Sequence, residues 1–398
     1  MGEWKECKLG STGKVITGKT PSKENPEDWG NKTLFITPSD YGNYNKCAWD
    51  SIRKLSQIGT ERQSARLLPS KSILVTCIGS DMGKTVINYS PCVTNQQINA
   101  IIPYHEIVDT DFLYYETVFL YDVLHSMGSD GTAVPILNKT DFENIDILLP
   151  PLPEQKAIAA VLSSLDDKID LLHRQNKTLE AMAETLFRQW FVEEADEGWE
   201  EGKISDLCIV ITKGTTPTTL GHQFTETGIN FVKAESITDT GDFIWNKFAK
   251  ISDETHIFLN RSILQEGDIL CSIAGTIGRV AITTNDILPA NTNQAIAILR
   301  VDNKKCFPEF IYLFMKSALF REIMDGKIVH AVQPNLSLGE IGNSTLKIPP
   351  FSYLMNFKNV VQPIFAKKKE NYNQIRTLEK LRDTLLPKLM SGEVRVKI

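Results

Sequence analysis

The sequence lacks the features that define several large protein classes. No apolar run approaches the roughly 20 residues that a membrane-spanning helix needs, and no secretory signal sequence opens the chain. The seven cysteines are scattered without a Cys-x-x-Cys pair, which argues against a disulfide framework or a zinc ribbon. The six histidines show no metal-ligand spacing. We therefore expect a cytoplasmic protein with reduced thiols, no bound metal and no membrane partner.

A complete phosphate-binding loop is also missing, although one stretch comes close to it. Residues 74–88 read LVTCIGSDMGKTVIN, and the Gly-Lys-Thr ending is typical of nucleotide-binding proteins. The first glycine of that motif would replace Ile78, whereas Gly79 stands one residue too close. A loop shortened in this way has too little backbone to wrap a phosphate. The stretch predicts a strand, a glycine turn, a cation and a second strand.

Two kinds of enzyme motif are absent as well. Amino-methyltransferases carry Asn/Asp-Pro-Pro-Phe/Tyr, but the two proline pairs of this chain follow Leu149 and Ile348. Neither side chain can accept a hydrogen bond from an exocyclic amine, and proline pairs are typical of the approach to a helix. No cluster of carboxylates with a lysine, as a nuclease needs, stands out. We therefore expect a protein without catalytic residues.

Length and charge indicate several domains and a locally basic surface. At 398 residues the chain exceeds a usual single domain. A net charge of −6 disfavours a wholly basic nucleic-acid binder, but patches decide phosphate contacts more than totals do. One basic segment fits either a phosphate-binding patch or an ordinary solvated surface. It carries Lys46, Arg53, Lys54, Arg62, Arg66 and Lys71 against Asp50 and Glu61.

The most informative positive feature is an internal duplication. Trp4 and the motif ITGKTPS return about 195 residues later as Trp199 and ITKGTTPT. SILVTCIGSDMGKTVI returns as DILCSIAGTIGRVAI, and Thr-Asn-Gln occurs at the matching place in both copies. A period near half the chain indicates an intramolecular duplication and not a solenoid.

Each copy joins a β-rich part to a helical part. Short β-branched and aromatic runs such as KTLFIT, SILVTCI, NFVKA and AIAILR predict strands, and DFLYYETVFLYDVL and PEFIYLFMKSALF predict helices. The second part of each copy has helical periodicity and almost no glycine. We predict four segments, namely β-rich domains at residues 1–150 and 198–348 and helical spacers at residues 151–197 and 349–398.

Both helical parts carry apolar residues at seven-residue steps. Heptads sustained over this length predict a coiled-coil seam, with two independent amphipathic helices as the alternative. A second row three residues further on includes Val161, Met182, Val360 and Leu381, with Gln175 and Gln374 as polar members. Pseudo-two-fold symmetry predicts antiparallel pairing. The first row consists of Ile158, Leu165, Leu172, Leu179, Leu186, Phe357, Ile364, Asn371, Leu378 and Leu385.

The order of β-rich domain, helix, β-rich domain and helix resembles the specificity subunit of type I restriction–modification enzymes. The strings PLPEQKAIAAVLSSLDDKIDLLHRQNKTLE and LEKLRDTLLPKLMSGEVRV, and the turn-strand repeat that reads ILVTCIGSDMGK and ILCSIAGTIGR, carry the resemblance. It covers essentially the whole chain and departs at FSYLMNF, residues 351–357, where a second Pro-Glu-Gln would be expected. It implies an α+β fold with two pseudo-symmetric target recognition domains and two long helices that pair as an antiparallel coiled coil.

The resemblance implies a non-catalytic DNA-binding subunit that acts in phage defence. Each target recognition domain would read one half of a split target in double-stranded DNA. The helices would set the gap between the halves and dock two methyltransferase subunits, and motor-nuclease restriction subunits would complete the complex. The chain would bind no cofactor itself, since S-adenosylmethionine, ATP and Mg would belong to the partner subunits. A structural adaptor with two protein-binding heads is the alternative.

The candidate DNA-binding residues follow from the two copies. Lys84 and Arg279 stand at the same place, after the glycine of a tight turn, which suits a cation held against phosphate or guanine. A solvent-facing turn residue is the alternative. Ser80, Asp81 and Thr276 lie in the same turns and differ between the copies, as half-site readers would. The other candidates are Arg53, Arg62 and Arg66 in the first domain and Lys213, Lys233, Lys247 and Arg261 in the second.

Overall fold

The protein forms two compact units. Unit 1 comprises Met1–His173 and Tyr372–Ile398, and unit 2 comprises Arg174–Asn371. Each unit combines a β-rich part with portions of two long helices. The computed structural model describes residues 3–43, 46–79, 81–127, 136–328 and 335–397.

Unit 1 is built from short strands that precede a long helix. Its strands are β1 (Lys5–Lys8), β2 (Gly13–Thr17), β3 (Trp29–Gly30), β4 (Thr33–Ile36), β5 (Cys47–Ala48), β6 (Arg53–Leu55), β7 (Ile73–Thr76), β8 (Thr85–Asn88), β9 (Cys92–Thr94), β10 (Ile98–Pro103) and β11 (Asp146–Leu149). Its α-helices are α1 (Gln57–Arg62), α2 (Thr110–Phe119), α3 (Tyr121–Met127), α4 (Lys139–Glu143) and the first part of α5 (Leu152–Arg188).

Unit 2 repeats this plan. Its strands are β12 (Glu200–Lys203), β13 (Cys208–Lys213), β14 (Ile229–Val232), β15 (Ala249–Ile251), β16 (Ile269–Ser272), β17 (Val280–Ile282), β18 (Ala290–Thr292), β19 (Ile296–Val301) and β20 (Thr345–Ile348). Its α-helices are α6 (Asp253–Phe258), α7 (Pro308–Lys316), α8 (Ala318–Ile328), α9 (Leu338–Gly342) and the first part of α10 (Phe351–Met390).

The sheets of the two units share one strand order, to which unit 1 adds the edge strands β3 and β5. A mainly antiparallel sheet has the order β2-β10-β7-β8-β5 in unit 1 and β13-β19-β16-β17 in unit 2. A smaller sheet contains β6-β4-β9 or β15-β14-β18, and its last pair is parallel in both units. A two-stranded sheet, β1-β11 or β12-β20, precedes each long helix. The predicted duplication is therefore confirmed at the level of topology.

The larger sheet of each unit is buried on both faces, because successive apolar side chains along its strands point to opposite faces. In unit 1, Ile73 and Val75 pack with α2 and α5, whereas Leu74 between them packs with the smaller sheet. In unit 2, Ile269 lies in the core that includes residues of the long helices, and Leu270 lies in the core beside the smaller sheet. The apolar runs in the sequence predict these strands correctly, because a strand buried on both faces is hydrophobic throughout.

The long helices begin directly after the two proline pairs, as predicted for helix-entry prolines. The entry of α5 is polar and that of α10 is aromatic. Gln155 on α5 accepts a hydrogen bond from the Asp109 N–H at 2.9 Å and donates to the Pro150 carbonyl at 2.8 Å. At the FSYLMNF departure, the Tyr353 ring lies 5.0 Å from Trp199. Aromatic packing thus replaces the missing Pro-Glu-Gln at the second helix.

The two helices pair in antiparallel fashion within each unit. In unit 1, Ile169 and Leu172 of α5 pack with Ile375 of α10, and Asp166 binds Arg382 further along α10. In unit 2, Glu180 of α5 binds Lys368 of α10, and residues further along α5 pack against the beginning of α10. The partner number on α10 falls as the number on α5 rises, which is the sign of antiparallel helices.

The residues of the first seam row are all buried or partly buried. Asn371 is polar and completely buried, and Phe357 lies in the unit 2 core. The buried members are Ile158, Leu172, Phe357, Ile364 and Asn371. The partly buried members are Leu165, Leu179, Leu186, Leu378 and Leu385.

The predicted second row is wrong by one position at Met182, Val360 and Leu381, whereas its member Val161 is half-buried against the unit 1 core. Met182 is 49% exposed, and Val360 and Leu381 are similarly exposed. A heptad seam alternates steps of three and four residues, and here the step after the first row is four. The buried second row consists of Leu162, Ile169, Asn176 and Ala183 on α5 and Val361, Lys368, Ile375 and Leu389 on α10.

No helix within the described ranges combines the length and the apolar character that crossing a bilayer requires.

Candidate nucleic-acid interface

The glycine turn between β7 and β8 has an almost identical counterpart between β16 and β17. In unit 1, the Gly83 N–H donates to the Thr76 carbonyl at 2.8 Å, and the Thr76 N–H donates to the Lys84 carbonyl at 2.9 Å. In unit 2, the Gly278 N–H and the Arg279 carbonyl bond to Ser272 in the same way, at 2.9 Å each. Each turn is therefore closed by the last residue of the incoming strand.

Both turns need glycine for a conformational reason. Gly79 and Gly83 have φ of 84° and 89°, and Gly275 and Gly278 have φ of 76° and 88°. L-amino acids with side chains rarely adopt this left-handed region. The two glycines of the GSDMGKT stretch thus serve a tight turn, and the following cation is placed at the start of a strand.

The Lys84 side chain lies at the surface of unit 1. Its ammonium group is 2.6 Å from the Asp81 carboxylate, and both side chains are about half exposed. Such an ion pair between exposed groups contributes little to stability, so the lysine can exchange Asp81 for a phosphate at small cost. Ser80, the other candidate in this turn, lies outside the described residues.

Arg279 is held more firmly than Lys84. Its Nε donates to Asp239 at 2.6 Å, and its Nη1 donates to the Ile237 carbonyl at 2.9 Å. Its side chain is only 24% exposed. The guanidinium therefore joins the β16–β17 turn to the segment around Asp239, whereas Thr276 remains exposed at the turn itself. Sequence reasoning treated the two cations alike, because a partner 40 residues away leaves no local signal.

The three arginine candidates of the first domain have different surroundings. The Arg53 guanidinium lies over the Trp29 ring, 3.4 Å from its centroid. Arg62 binds the carboxylates of Glu27 and Asp28 at 2.7 Å each, and because Asp28 is buried this contact is structural. Hydrogen bonding from Arg62 lowers the pKa of Glu27. Arg66 is half-buried at the end of a short helical turn.

The candidates of the second domain also have different surroundings. Lys213 and Lys247 are exposed. Lys233 lies 4.9 Å from the centre of the Phe224 ring. Arg261 donates to the Thr215 hydroxyl at 3.0 Å, so it lies beside the segment that repeats the Thr-Pro motif. Arg261 is thus the second-domain candidate that is linked to a repeated motif.

A second repeated feature was missed as a site by sequence reasoning. The Thr20 hydroxyl donates to Gln96 Oε1 at 2.8 Å in unit 1, and the Thr216 N–H donates to Gln294 Oε1 at 3.1 Å in unit 2. These pairs join the Thr-Pro motif to the Thr-Asn-Gln motif, and all four side chains are polar and near the surface. We call them the Thr–Gln clasps. The recurrence of both motifs in the sequence could have indicated a site. Their contact could not be predicted, because it joins residues that are far apart along the chain.

Close backbone approach explains the glycine before each clasp. A Cβ on Gly18 would lie 2.2 Å from the Asn95 carbonyl oxygen, and one on Gly214 would lie 1.8 Å from the Thr292 carbonyl oxygen. Both distances are far inside van der Waals contact, so glycine is required. Since the glutamine oxygen is already engaged, its amide group is left to donate, as suits a phosphate or a base acceptor.

Buried ion pairs attach each β-rich part to the helices of its own unit. In unit 2, Glu180 accepts hydrogen bonds from Tyr312 and Lys316 at 2.6 Å each and also binds Lys368. Burial acts to raise the pKa of Glu180, but Lys368 and Lys316 outweigh it and lower the pKa below its ordinary value. The carboxylate therefore stays ionised in the folded unit.

Unit 1 uses a different set for the same purpose. Asp166 on α5 accepts from the Tyr115 hydroxyl at 2.6 Å and from Arg382 at 2.9 Å. Burial alone lowers the pKa of Arg382, but the Asp166 carboxylate raises it overall. Near the helix entry, Arg395 binds the buried Glu154 and lowers the pKa of that carboxyl. These networks fix the β-rich parts on the helices.

Among the residues that the structure describes, no group of three or more His, Cys, Asp or Glu side chains is arranged to hold an ion.

Comparison with known proteins gives consistent matches. The family model described as type I restriction modification DNA specificity domain matches residues 1–181 and 196–374. The type I restriction enzyme MjaIX specificity subunit of Methanocaldococcus jannaschii is 30% identical over 426 residues, which cover 99% of this chain and 94% of that protein. The HindI specificity subunit of Haemophilus influenzae is 37% identical over 149 residues, covering 37% of this chain and 32% of that protein.

A solved structure has a similar fold. The S subunit of a type I restriction–modification system from M. genitalium has a TM-score of 0.58 at 16% identity, with 97% of this chain and 96% of that chain covered. Similarity at this identity concerns the fold alone. The family model, in contrast, matches both halves of the duplication. The chain therefore belongs to the family of type I restriction–modification DNA specificity proteins.

Proposed function

We propose that each β-rich domain of this chain reads one half of a bipartite target in double-stranded DNA. As a specificity subunit, the chain supplies sequence recognition and leaves catalysis to other subunits. The observation that carries the proposal is the repetition of one sheet topology with one glycine-turn hairpin in both units. Two related readers in one chain suit a target with two half-sites. The target recognition domains are residues 1–150 and 198–348.

The helical spacers, residues 151–197 and 349–398, set the gap between the half-sites and dock two methyltransferase subunits. Motor-nuclease subunits join this assembly when it acts in restriction. S-adenosylmethionine, ATP and Mg belong to those partners. The antiparallel pairing of α5 and α10 within each unit supports a stiff spacer, because paired helices resist bending better than single ones.

Among the candidate contacts, Lys84 is the strongest phosphate ligand because it is exposed and only weakly paired. Arg279 contributes through the shape of its turn, since its guanidinium is already bound to Asp239. The two Thr–Gln clasps and Arg261 contact the DNA backbone irrespective of sequence, because both units keep the clasp. Asp81, Thr276, Ser80, Arg53, Arg66, Lys213, Lys233 and Lys247 contribute to the half-site contacts, and Arg62 is the weakest candidate because it binds Glu27 and Asp28.

The proposal is tested by co-expressing the chain with its methyltransferase subunit and mapping methylated adenines across the host genome. We expect a target of two short specific parts separated by an unspecified gap. Exchange of residues 1–150 for the corresponding domain of another family member should change one part and leave the other intact. An assembly that forms normally but methylates without sequence preference would favour the adaptor with protein-binding heads.

A further inference from the structure

We propose that Trp49, Tyr89 and Lys71 form a DNA contact that belongs to the first domain alone, in which the aromatic pair stacks on a nucleobase and the lysine binds an adjacent phosphate. We call these three residues the aromatic corner. The inference rests on the proposed function and specifies how the first domain would differ from the second in reading its half-site.

The aromatic pair is exposed to an unusual degree. The Trp49 and Tyr89 rings lie 3.9 Å apart between centroids, with an angle of 35° between their planes. Trp49 is 57% exposed and Tyr89 is 60% exposed. Large aromatic side chains usually bury most of their surface. Two of them that stack on each other in solvent therefore indicate a binding surface.

Strand pairing explains why the two rings meet. β5 and β8 run parallel, with Ala48 opposite Asn88. The Tyr89 N–H donates to the Ala48 carbonyl at 3.0 Å, so Trp49 and Tyr89 follow paired residues and leave the sheet side by side. The platform is thus fixed by backbone hydrogen bonds and is preorganised before any ligand arrives.

Lys71 adds a cation next to this platform in a strained conformation. Its φ is 65°, and it is the only non-glycine residue with positive φ in the described ranges. The Lys71 N–H donates to the Asn88 carbonyl at 2.9 Å, which places the lysine beside the residue that precedes Tyr89. Its side chain is exposed and makes no ion pair with any residue that the structure describes.

The second unit shows that this lysine is not needed for the turn. Gly267 occupies the equivalent position with φ of 83°, and its N–H donates to the Thr283 carbonyl at 2.9 Å. Glycine adopts this conformation without strain. A lysine that is kept where glycine fits better indicates a role for the side chain, since strained residues concentrate at functional sites.

The aromatic pair is likewise absent from the second unit. Trp245 aligns with Trp49, but it is half-buried and packs 5.3 Å from the Phe248 ring. Thr284 stands where Tyr89 would be. Since the two domains share their topology, a feature present in one alone is suited to distinguishing the two half-sites.

The local charge favours DNA as the occupant. Asp50, which follows Trp49, lies 2.7 Å from the Lys54 ammonium, so its negative charge is offset within the protein. Lys71 then leaves the corner with a net attraction for anions. Aromatic faces with a neighbouring cation are the combination that proteins use to bind unstacked bases and their phosphates. In a duplex, a side chain inserted at a base step partially unstacks the bases there and so exposes a face.

The test uses the assembled methyltransferase and a duplex of about 30 base pairs that carries the target mapped from methylated adenines. The wild-type assembly must bind this duplex more tightly than random sequence, which checks the proposed function itself. The variants are the double substitution Trp49→Ala and Tyr89→Ala, and separately Lys71→Gly. Tyr104→Ala, which removes another exposed tyrosine of unit 1, is the matched control.

We expect the double variant to bind the target about tenfold more weakly, in line with the loss of one stacked base. Lys71→Gly should weaken binding while its thermal stability is equal to or higher than that of the wild type, because strain is removed. Both losses should vanish on a duplex in which the first half-site is randomised. The Tyr104→Ala assembly should bind like the wild type.

Three results would overturn the proposal. Unchanged affinity in the double variant and in Lys71→Gly would show that the corner does not contact DNA. Loss of the methyltransferase subunit from the purified assembly, with DNA affinity retained, would make the corner a protein interface. Equal losses on the target and on the half-randomised duplex would exclude a role in reading the first half-site. If the double variant were unstable, Lys71→Gly alone would still decide.

Discussion

In the helix pair of unit 2, the Asn371 side chain donates a hydrogen bond to Asn176 Oδ1 at 2.9 Å, and both side chains are almost completely buried. The pair is only half satisfied, because Asn176 Nδ2 and Asn371 Oδ1 have no hydrogen-bond partner among the described residues. Buried polar pairs of this kind cost stability and fix the register of a seam. They explain how α5 and α10 find one alignment.

Replacing one asparagine of this pair should be worse than replacing both. Asn371→Leu leaves the Asn176 amide buried without a partner, which should cost about 1–3 kcal/mol of unfolding free energy. The double change to leucine removes both polar groups and should recover most of that loss. Urea denaturation of the wild type, Asn371→Leu, Asn176→Leu and the double variant measures the coupling. Equal losses that simply add would show that the two side chains do not act as a pair.

Glu180 should make the stability of unit 2 depend on acid pH. Its folded pKa lies below the ordinary value of 4.5 because Lys368 and Lys316 outweigh the cost of burial. A lowered pKa stabilises the folded state above pH 4.5, and this contribution is lost as pH falls through the folded pKa. Glu180→Gln removes the carboxylate that the two buried lysines share and leaves them with the more distant carboxylates of Glu184 at 3.3 Å and Asp242 at 3.8 Å. It should cost about 1.5–3 kcal/mol at pH 7, as expected for lost hydrogen bonds between charged groups.

The difference in unfolding free energy between the wild type and Glu180→Gln should decrease as the pH falls. Protonated glutamate resembles glutamine, so urea denaturation should show the wild type and Glu180→Gln converging as pH falls below 4.5. Glu201→Gln changes an exposed carboxylate and serves as the control, with little effect at either pH. A gap between wild type and Glu180→Gln that stayed constant from pH 7 to acid would contradict the assigned network.

Sequence patterns predicted the fold because burial and topology leave strong periodic signals. Runs such as SILVTCI and AIAILR become strands that are buried on both faces, and the duplicated motifs occupy matching places in two units. The glycine turns were also predicted, since only glycine tolerates the required backbone angles at Gly83 and Gly278.

Contacts between distant residues could not be predicted in the same way. The Arg279–Asp239 ion pair and the Trp49–Tyr89 stack each join residues 40 apart, and no local pattern marks such partners. The second seam row was misplaced because apolar residues stand at both the third and the fourth position after the first row. Only packing decides which of the two faces the partner helix.

Neighbouring positions on α5 should therefore respond very differently to charge. Ala183 is 1% exposed within the unit 2 core, whereas Met182 is 49% exposed. Ala183→Asp buries a carboxylate without a partner and should cost several kcal/mol, at least about 3. Met182→Asp should change stability by less than about 0.5 kcal/mol. Guanidinium denaturation followed by circular dichroism compares them. Equal effects at the two positions would instead support the predicted second row, which stands three residues after the first.

Substitution of Lys84 should affect DNA binding, whereas substitution of Arg279 should affect stability. Lys84 is exposed and weakly paired, so Lys84→Ala should leave thermal stability unchanged while weakening binding of target DNA by the assembled methyltransferase. For one lost phosphate contact, the slope of log affinity against log salt should fall in magnitude by about 1. The same slope in the wild type and in Lys84→Ala would remove Lys84 from the interface.

Arg279→Ala should behave in the opposite way, because its guanidinium joins the β16–β17 turn to Asp239 and the Ile237 carbonyl. Loss of these bonds should cost about 1–2 kcal/mol of stability, with a salt slope close to that of the wild type. Arg279→Lys is the matched variant, since it keeps the charge and loses the two-point contact. If Arg279→Ala were fully stable and its salt slope fell like that of Lys84→Ala, the two cations would have the same role.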